Sequence, residues 1–265
     1  MDCDLIFSIP VYKIRKVFDI ASRMSSYGVL ELKDDGMYFS VRDGLNVTMF
    51  EAIINKVEFD AYEPGLYPID VDDFWLYIKD LRYDDILHFG SKGNYYCLYI
   101  CEVAKTFVPK PPKCVDGFYS KSFSERKPKY GSDVYVVIDS KVFYNVFKAI
   151  IDSSHGSLVT FESNGDNFSI KTDYGCIDFT VSLKSDIIHG YDVDIVHGGF
   201  CKSSFDRSFL KDVLKIIKNS MFTEINFGDC NTIRFAVYDQ FQNSKRATAM
   251  YLGYYVAPRK EIGGG

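Results

Sequence analysis

The stretch VYKIRKVFDIASRMSSYGVLELKDDGMYFSV, residues 11–41, predicts one amphipathic helix followed by two short strands. From Val11 to about Met24, apolar residues recur at the three- and four-residue spacing that gives a helix one buried face. The segments Val29–Lys33 and Met37–Val41 then flank an Asp-Asp-Gly turn, in which Gly36 is expected to take the positive φ of a tight hairpin. One helix and one hairpin therefore form the first unit of the chain.

The same unit recurs three more times. The four helices are expected over 11–24, 71–82, 140–152 and 206–218, and the four hairpin turns at Gly36, Gly93, Gly165 and Asn231. Pairing the first unit with the third, and the second with the fourth, gives two copies of a module of roughly 130 residues. We therefore predict an α+β fold of two similar domains, each with antiparallel sheets and two helices on one face.

Domain 1 is predicted over 1–115, a connector over 116–132, and domain 2 over 133–265. The connector contains proline and many charged residues, so it is either a solvated loop or a loop that also helps to bind partners. Additional strands are expected over Thr48–Ile54, Glu58–Tyr62, Cys176–Leu183 and Asp192–Val196, and Val103–Val108 is a candidate edge strand.

The distribution of charge is uneven. The chain has 31 Lys and Arg against 36 Asp and Glu, a net charge of −5, which excludes a uniformly basic coat for nucleic acid. Nevertheless, the helical stretches 11–24, 140–152 and 206–218 each carry net positive charge. In the last of them, Arg207, Lys211, Lys215 and Lys218 have the spacing of one continuous basic stripe on a regular helix.

A solvated face is the ordinary explanation for one such helix. The four predicted helices are expected to lie on the same side of a repeated sheet. We therefore favour the other interpretation, in which their lysines and arginines form one surface that contacts DNA phosphates without reading the bases.

No motif predicts catalysis, a metal or a cofactor. The sequence contains neither a G-x-x-x-x-G-K-[ST] phosphate loop nor a G-x-S-x-G nucleophile motif. Acidic clusters at Asp70-Asp72-Asp73, Asp84-Asp85 and Asp192-Asp194 adjoin predicted helix starts and strand ends, and we interpret them as caps and turns. The competing interpretation of these clusters is a metal-dependent hydrolase.

The seven cysteines are an odd number at irregular spacing, which favours reduced thiols in a cytosol-like compartment. A secretory signal and a membrane span are not predicted, because the amino terminus is acidic and no apolar run approaches the roughly 18 residues of a span. We therefore expect an intracellular protein.

Three segments together resemble the sliding clamps of the PCNA family. They are Tyr254–Glu261, which matches the tyrosine-rich last strand ending in Ala-Pro, the run from Gly36 through Asn46-Val47 to Glu63, and Tyr67–Val71 leading into the second helix. The resemblance implies a ring of three two-domain subunits around duplex DNA, without catalytic activity. The DNA-facing cations that it implies are Lys13, Lys16, Arg23, Lys79, Arg82, Lys141, Lys148, Arg207, Lys211, Lys215 and Lys218.

Two further sites are implied by the resemblance. Subunits would pair through Val103–Val108 of domain 1 and Cys176–Leu183 of domain 2, with contacts from Val103, Thr106, Val108, Ile177, Phe179 and Val181. A pocket for short peptides of partner proteins would be formed by Val41, Asn46, Val47, Val115, Phe118, Tyr255, Ala257 and Pro258. Simple packing within the sheet is the alternative role for Tyr255.

The implied function is a processivity factor that tethers DNA polymerase, flap endonuclease and ligase to duplex DNA after a clamp loader has placed it there. The implied ring is a homotrimer or is built with paralogues. The location would be with DNA, in the cytoplasm or nucleoid of an archaeon or in a nucleus for a eukaryotic or viral chain. The alternative is a monomeric polymerase accessory factor of the same fold that binds DNA by charge alone.

Overall fold

The computed structural model describes residues 3–100, 105–111, 121–130, 133–153, 156–165, 167–173, 178–182, 200–229, 231–239 and 250–259. The chain divides into two compact units. Unit 1 comprises Met1–Asn46, Phe50–Lys127 and Gln242–Leu252, and unit 2 comprises Val47–Met49, Pro128–Phe241 and Gly253–Gly265. Among the described residues, no helix is long and apolar enough to cross a membrane.

The first half of the chain contains most of unit 1. Its elements are β1 (Asp4–Pro10), α1 (Val11–Ala21), β2 (Tyr27–Lys33), β3 (Gly36–Arg42), β4 (Thr48–Asn55), a 3-10 helix (Lys56–Glu58), β5 (Ala61–Tyr62), β6 (Gly65–Asp70), α2 (Val71–Ile78), β7 (Ile86–Lys92), β8 (Tyr95–Tyr99), β9 (Lys105–Pro109) and α3 (Phe123–Arg126). One sheet has the order β5-β1-β7-β8-β9, and β4-β3-β2-β6 are consecutive strands of another. Helices α1 and α2 pack together through stacked Phe18 and Phe74, whose ring centroids are 4.4 Å apart.

The second half of the chain repeats this arrangement. Its elements are β10 (Val134–Asp139), α4 (Ser140–Asp152), β11 (Leu158–Asn164), β12 (Asn167–Thr172), β13 (Asp178–Ser182), β14 (Phe200–Asp206), α5 (Arg207–Leu210), α6 (Val213–Ile217), β15 (Phe222–Phe227), β16 (Ile233–Asp239) and β17 (Met250–Val256). A four-stranded sheet has the order β13-β12-β11-β14, and β10-β15-β16-β17 are again consecutive strands. The predicted antiparallel α+β architecture is confirmed.

Two local predictions are wrong. The expected strand Glu58–Tyr62 is reduced to the two-residue β5, and Glu58 instead ends the 3-10 helix, which the Asn55 side chain caps by accepting a hydrogen bond from the Val57 N–H. Gly36 does not have a positive φ, whereas Gly93 (55°) and Gly165 (85°) do. Gly36 is required for another reason, since a Cβ at this position would lie 2.4 Å from the carbonyl oxygen of Ile54 on β4.

The connector is not simply a solvated loop. Its described part contains α3, with Ser122 and Glu125 forming a capping box, and the side chains of Phe123 and Arg126 are buried. The predicted edge strand Val103–Val108 corresponds to β9, which ends the five-stranded sheet, and Cys176–Leu183 corresponds to β13, which ends the four-stranded one. The expected strand Asp192–Val196 lies outside the described residues.

The prediction of reduced thiols is wrong for one pair, because Cys3 and Cys97 form a disulfide. The cause is strand register. Leu5 on β1 pairs with Gly90 on β7, and Gly90 pairs with Cys97 on β8. Gly90 has no side chain to separate the two cysteines, and a Cβ there would lie 3.4 Å from Cys3 Cβ. The bond therefore crosses β7, which no spacing along the chain could reveal.

Replacing Cys3 with serine is expected to lower the free energy of unfolding of the oxidised protein by about 2–4 kcal/mol, because the bond closes a long loop in the unfolded chain. Chemical denaturation of the oxidised wild type and of Cys3→Ser measures the difference. The control is the same pair in dithiothreitol, where the two midpoints should coincide. Equal midpoints under oxidising conditions would contradict the bond.

Candidate nucleic-acid interface

Two of the three cations predicted to face DNA from the first helical stretch, 11–24, have acidic partners. The buried face of α1 includes Ile14, Val17 and Phe18, which confirms the apolar stripe. Lys13 is half-buried and forms an ion pair with Glu58. Arg23 lies beyond the end of α1, and its Nη2 is 3.1 Å from Asp19 Oδ1. Part of the positive charge of this helix is therefore already compensated within unit 1.

Lys16 is also half-buried on α1. A further cation, Arg15, was not predicted to have a role. Its guanidinium donates a hydrogen bond to the carbonyl oxygen of Leu81 and lies 5.7 Å from the ring centroid of Tyr83. Because both partners belong to the loop after α2, Arg15 fixes this loop against α1. The loop contact could not have been read from helical spacing.

Helix α2 begins with the acidic cluster that we interpreted as a cap. The Asp70 side chain accepts a hydrogen bond from the Asp73 N–H at 2.9 Å, which confirms that interpretation. Burial raises the pKa of Asp73, and the neighbouring carboxylates of Asp70 and Asp72 raise it further. The predicted cations Lys79 and Arg82 both follow the helix and are exposed.

Helix α4 presents its two predicted cations to solvent. Phe143, Phe147 and Ile150 are buried, while Lys141 and Lys148 lie on the opposite, exposed side. Lys148 Nζ is 2.8 Å from Asp152 Oδ2, and this hydrogen bond raises the pKa of the Lys148 ammonium group. Since that ammonium group is ordinarily charged at neutral pH, the raised pKa leaves it charged.

The fourth predicted helix is interrupted, so the predicted continuous basic stripe is wrong. Between α5 and α6, the N–H of Leu214 bonds to Lys211 O and the N–H of Lys215 bonds to Asp212 O. These are three-residue hydrogen bonds, which wind the backbone more tightly than an α-helix, so the regular helical spacing that the stripe assumed does not hold through this segment. Spacing along the sequence assumes a regular helix and cannot detect this change.

The four cations of this segment consequently differ in position. Arg207 is half-buried and donates a hydrogen bond to the carbonyl oxygen of Ser153. The Nζ atom of Lys215 is buried. Lys211 and Lys218 are exposed. In this segment, therefore, Lys211 and Lys218 remain accessible to a phosphate.

The predicted subunit edge in unit 1 has a cavity beside it. This cavity of about 320 Å³ lies between α2 and β9 and is lined by Asp73, Leu76, Tyr77, Thr106, Phe107 and Val108. Leu76 is 59% exposed and Phe107 is 41% exposed, although both are apolar. An edge strand flanked by exposed apolar side chains is a surface on which another strand can pair.

The predicted interface residues are placed as follows. Thr106 is exposed on β9, and Val108 is buried. Phe179 and Val181 belong to β13, which is at the edge of its sheet among the strands that the structure describes. Val103 and Ile177 lie outside the described residues.

The predicted peptide pocket is only partly described. In unit 1, Val41 is buried, and Asn46 has the left-handed φ of 59° in the loop after β3. Val115 and Phe118 lie outside the described residues. In unit 2, the carbonyl oxygen of Val47 accepts a hydrogen bond from the Ala257 N–H at 2.8 Å, and Tyr255 is 1% exposed. The burial of Tyr255 agrees with a packing role.

The tail after β17 adds to unit 2. Ala257 and Pro258 are half-buried, and the N–H of Arg259 bonds to Ser204 O at 2.9 Å. Two neighbours of this tail were not predicted from the sequence. The Tyr130 ring lies 5.7 Å from that of Tyr255, and the Arg234 guanidinium lies 5.3 Å from Tyr130. The contact between exposed Tyr130 and the Arg234 guanidinium could not be predicted from the sequence, because Tyr130 belongs to the connector and Arg234 lies far along the chain.

No group of three or more His, Cys, Asp or Glu side chains suited to a metal ion occurs in the parts of the chain that the structure describes. The functional candidates that the described residues present are the exposed cations on or next to the helices and the sheet edge β9.

Solved structures of PCNA sliding clamps have the same fold over nearly the whole chain. A. fulgidus PCNA, solved with the C-terminal region of FEN-1 bound, has a TM-score of 0.77 at 18% identity and covers 97% of this chain and 99% of its own. PCNA of Entamoeba histolytica has a TM-score of 0.70 at 15% identity, covering 97% of this chain and 100% of its own. The PCNA2–PCNA3 complex of Sulfolobus tokodaii gives 0.69 at 17% identity, with coverage of 97% and 100%.

No protein-family profile and no curated protein sequence matches the chain. The fold is nevertheless that of the DNA sliding clamps, and the resemblance noted in the sequence is confirmed at the level of fold.

Proposed function

We propose that this chain is a DNA sliding clamp, a non-catalytic processivity factor that encircles duplex DNA and tethers replication and repair enzymes. The observation that carries the proposal is the coincidence of the clamp fold with exposed cations on or next to its helices, in a chain of net charge −5. Lysines that contact only phosphates give binding that is indifferent to sequence, as sliding requires.

Ring closure would use the two sheet edges. The exposed edge β9 with its apolar neighbours Leu76 and Phe107 would pair with β13 of another copy or of a paralogue. Partner peptides of a polymerase, a flap endonuclease or a ligase would bind near the loop after β3 and the tail after β17. A clamp loader would open the ring, and the protein would reside with the DNA inside the cell.

The oligomeric state is the first test. We expect light scattering to give three times the 30.3 kDa of one chain. Leu76→Glu should shift the protein to monomer, with at least a tenfold higher dissociation constant, because a charge would be buried in the interface. Leu66→Glu is the matched control, since Leu66 is 50% exposed on β6, which belongs to a different sheet from β9. A wild-type mass of one chain would favour the monomeric accessory factor.

Topological binding is the second test. With a clamp loader and ATP, the protein should be retained on closed-circular DNA and should slide off the same DNA after linearisation. Equal loss from both forms would count against encirclement.

A further inference from the structure

We propose that the connector is fastened to unit 1 by a charge latch, so that its described segment can be released without disturbing the core. The charge latch consists of Arg126 and Lys127 in the connector and of Glu31 on β2 and Glu51 on β4. The proposal goes beyond the proposed function, because it concerns the free chain and requires neither DNA nor a partner.

The first half of the charge latch is centred on Glu31. Arg126 has a fully buried side chain, and its Nη2 lies 3.0 Å from Glu31 Oε2. The same guanidinium donates a hydrogen bond through Nη1 to Ser40 Oγ at 2.7 Å. Glu31 Oε2 also accepts the backbone N–H of Phe123 at 2.7 Å. One carboxylate thus holds both a side chain and the backbone of α3.

The second half is centred on Glu51, whose side chain is 0% exposed. Its Oε1 accepts a hydrogen bond from the Tyr251 hydroxyl at 2.6 Å and lies 3.3 Å from Lys127 Nζ. The Lys127 ammonium group also lies 5.3 Å from the centroid of the Phe123 ring. The second carboxylate therefore holds the residue that immediately follows α3.

Apolar contact in this docking comes from a single buried side chain. Phe123 is the one apolar residue of the segment 121–127, and its ring lies 5.1 Å from that of Tyr38. If the segment were released, Arg126 and Lys127 would regain water, and Phe123 would be the one apolar side chain of 121–127 to lose its burial. A buried ion pair adds little net stability compared with an apolar pair, but removing one partner leaves the other charge buried and is strongly unfavourable. The charge latch is therefore specific and reversible, unlike a hydrophobic core.

The test is the rate of amide hydrogen exchange over 122–127, measured by mass spectrometry in the full chain. Arg126→Met keeps an apolar stem of similar length and removes the charge, and we expect exchange at least tenfold faster. Lys129→Met removes the same charge from an exposed position of the same connector and should change exchange less than twofold. A change below twofold in Arg126→Met would overturn the proposal.

Coupling between the partners is the second readout. Glu31→Gln should also accelerate exchange, and the double variant with Arg126→Met should exchange no more than about twofold faster than Arg126→Met alone. Effects that simply multiply would mean that the two residues act separately, which contradicts the charge latch. If circular dichroism showed that Arg126→Met fails to fold, Lys127→Met and Glu51→Gln would replace it. Unchanged exchange in both would equally overturn the proposal.

Discussion

A chain in which Lys141, Lys211 and Lys218 are changed to glutamine will bind short duplex DNA about 100- to 1,000-fold more weakly at low ionic strength. All three lysines are exposed, on α4 and at the ends of the two short helices α5 and α6. Each phosphate contact contributes about 0.9 to the slope of log K against log salt, so the slope should fall by nearly 3. Fluorescence anisotropy over a salt series measures both quantities.

The matched control changes three exposed lysines that were not predicted to face DNA, Lys121, Lys129 and Lys202. The net charge of both variants is the same, so a general loss of electrostatic attraction would affect them equally. We expect the control to lose less than tenfold in affinity and to keep the slope. Equal losses in the two variants would place the phosphate-binding surface elsewhere.

Changing Phe161 to alanine will destabilise unit 2 by about 3–5 kcal/mol, because it removes a large side chain from a core that cannot fully collapse around the cavity. Phe161 on β11 is 0% exposed. Its ring centroid lies 5.7–6.3 Å from those of five other phenylalanines, which are Phe147, Phe168, Phe205, Phe227 and Phe235. These residues come from α4 and from four strands, so the loss affects the whole unit.

Urea denaturation of Phe161→Ala measures this change. Phe200→Ala is the matched control, since Phe200 is 88% exposed at the start of β14 and its loss should change the free energy of unfolding by no more than about 0.5 kcal/mol. A loss below 1 kcal/mol in Phe161→Ala would show that the aromatic cluster is not the core of unit 2.

The repeated units were predictable because each is a local pattern. Buried positions of α1 and α4 follow the helical period, and hairpins such as β2–β3 and β11–β12 are joined by short turns whose residues favour a reversal. The Asp70 cap is likewise local, since the acceptor and the donor are three residues apart. Features of this kind need only the neighbouring residues to form.

Three of the features that the sequence did not predict depend on residues far along the chain. Cys3 meets Cys97 because β7 lies between their strands with a glycine at the crossing. Arg126 is buried because Glu31, 95 residues away, accepts its charge. Lys13 has an acidic partner because the turn after β4 brings Glu58 to it. None of these pairings leaves a periodic signal.

The amino-acid order alone determined the repeated helix-hairpin units, the antiparallel α+β class and the concentration of positive charge in the helical stretches, since these depend on short-range periodicity and on composition. The tertiary structure decided which cations stay exposed, how the cysteines pair and how the connector is held. These depend on which side chains are brought together across strands, and the free energy of burying a charge or closing a bond is settled only by those neighbours.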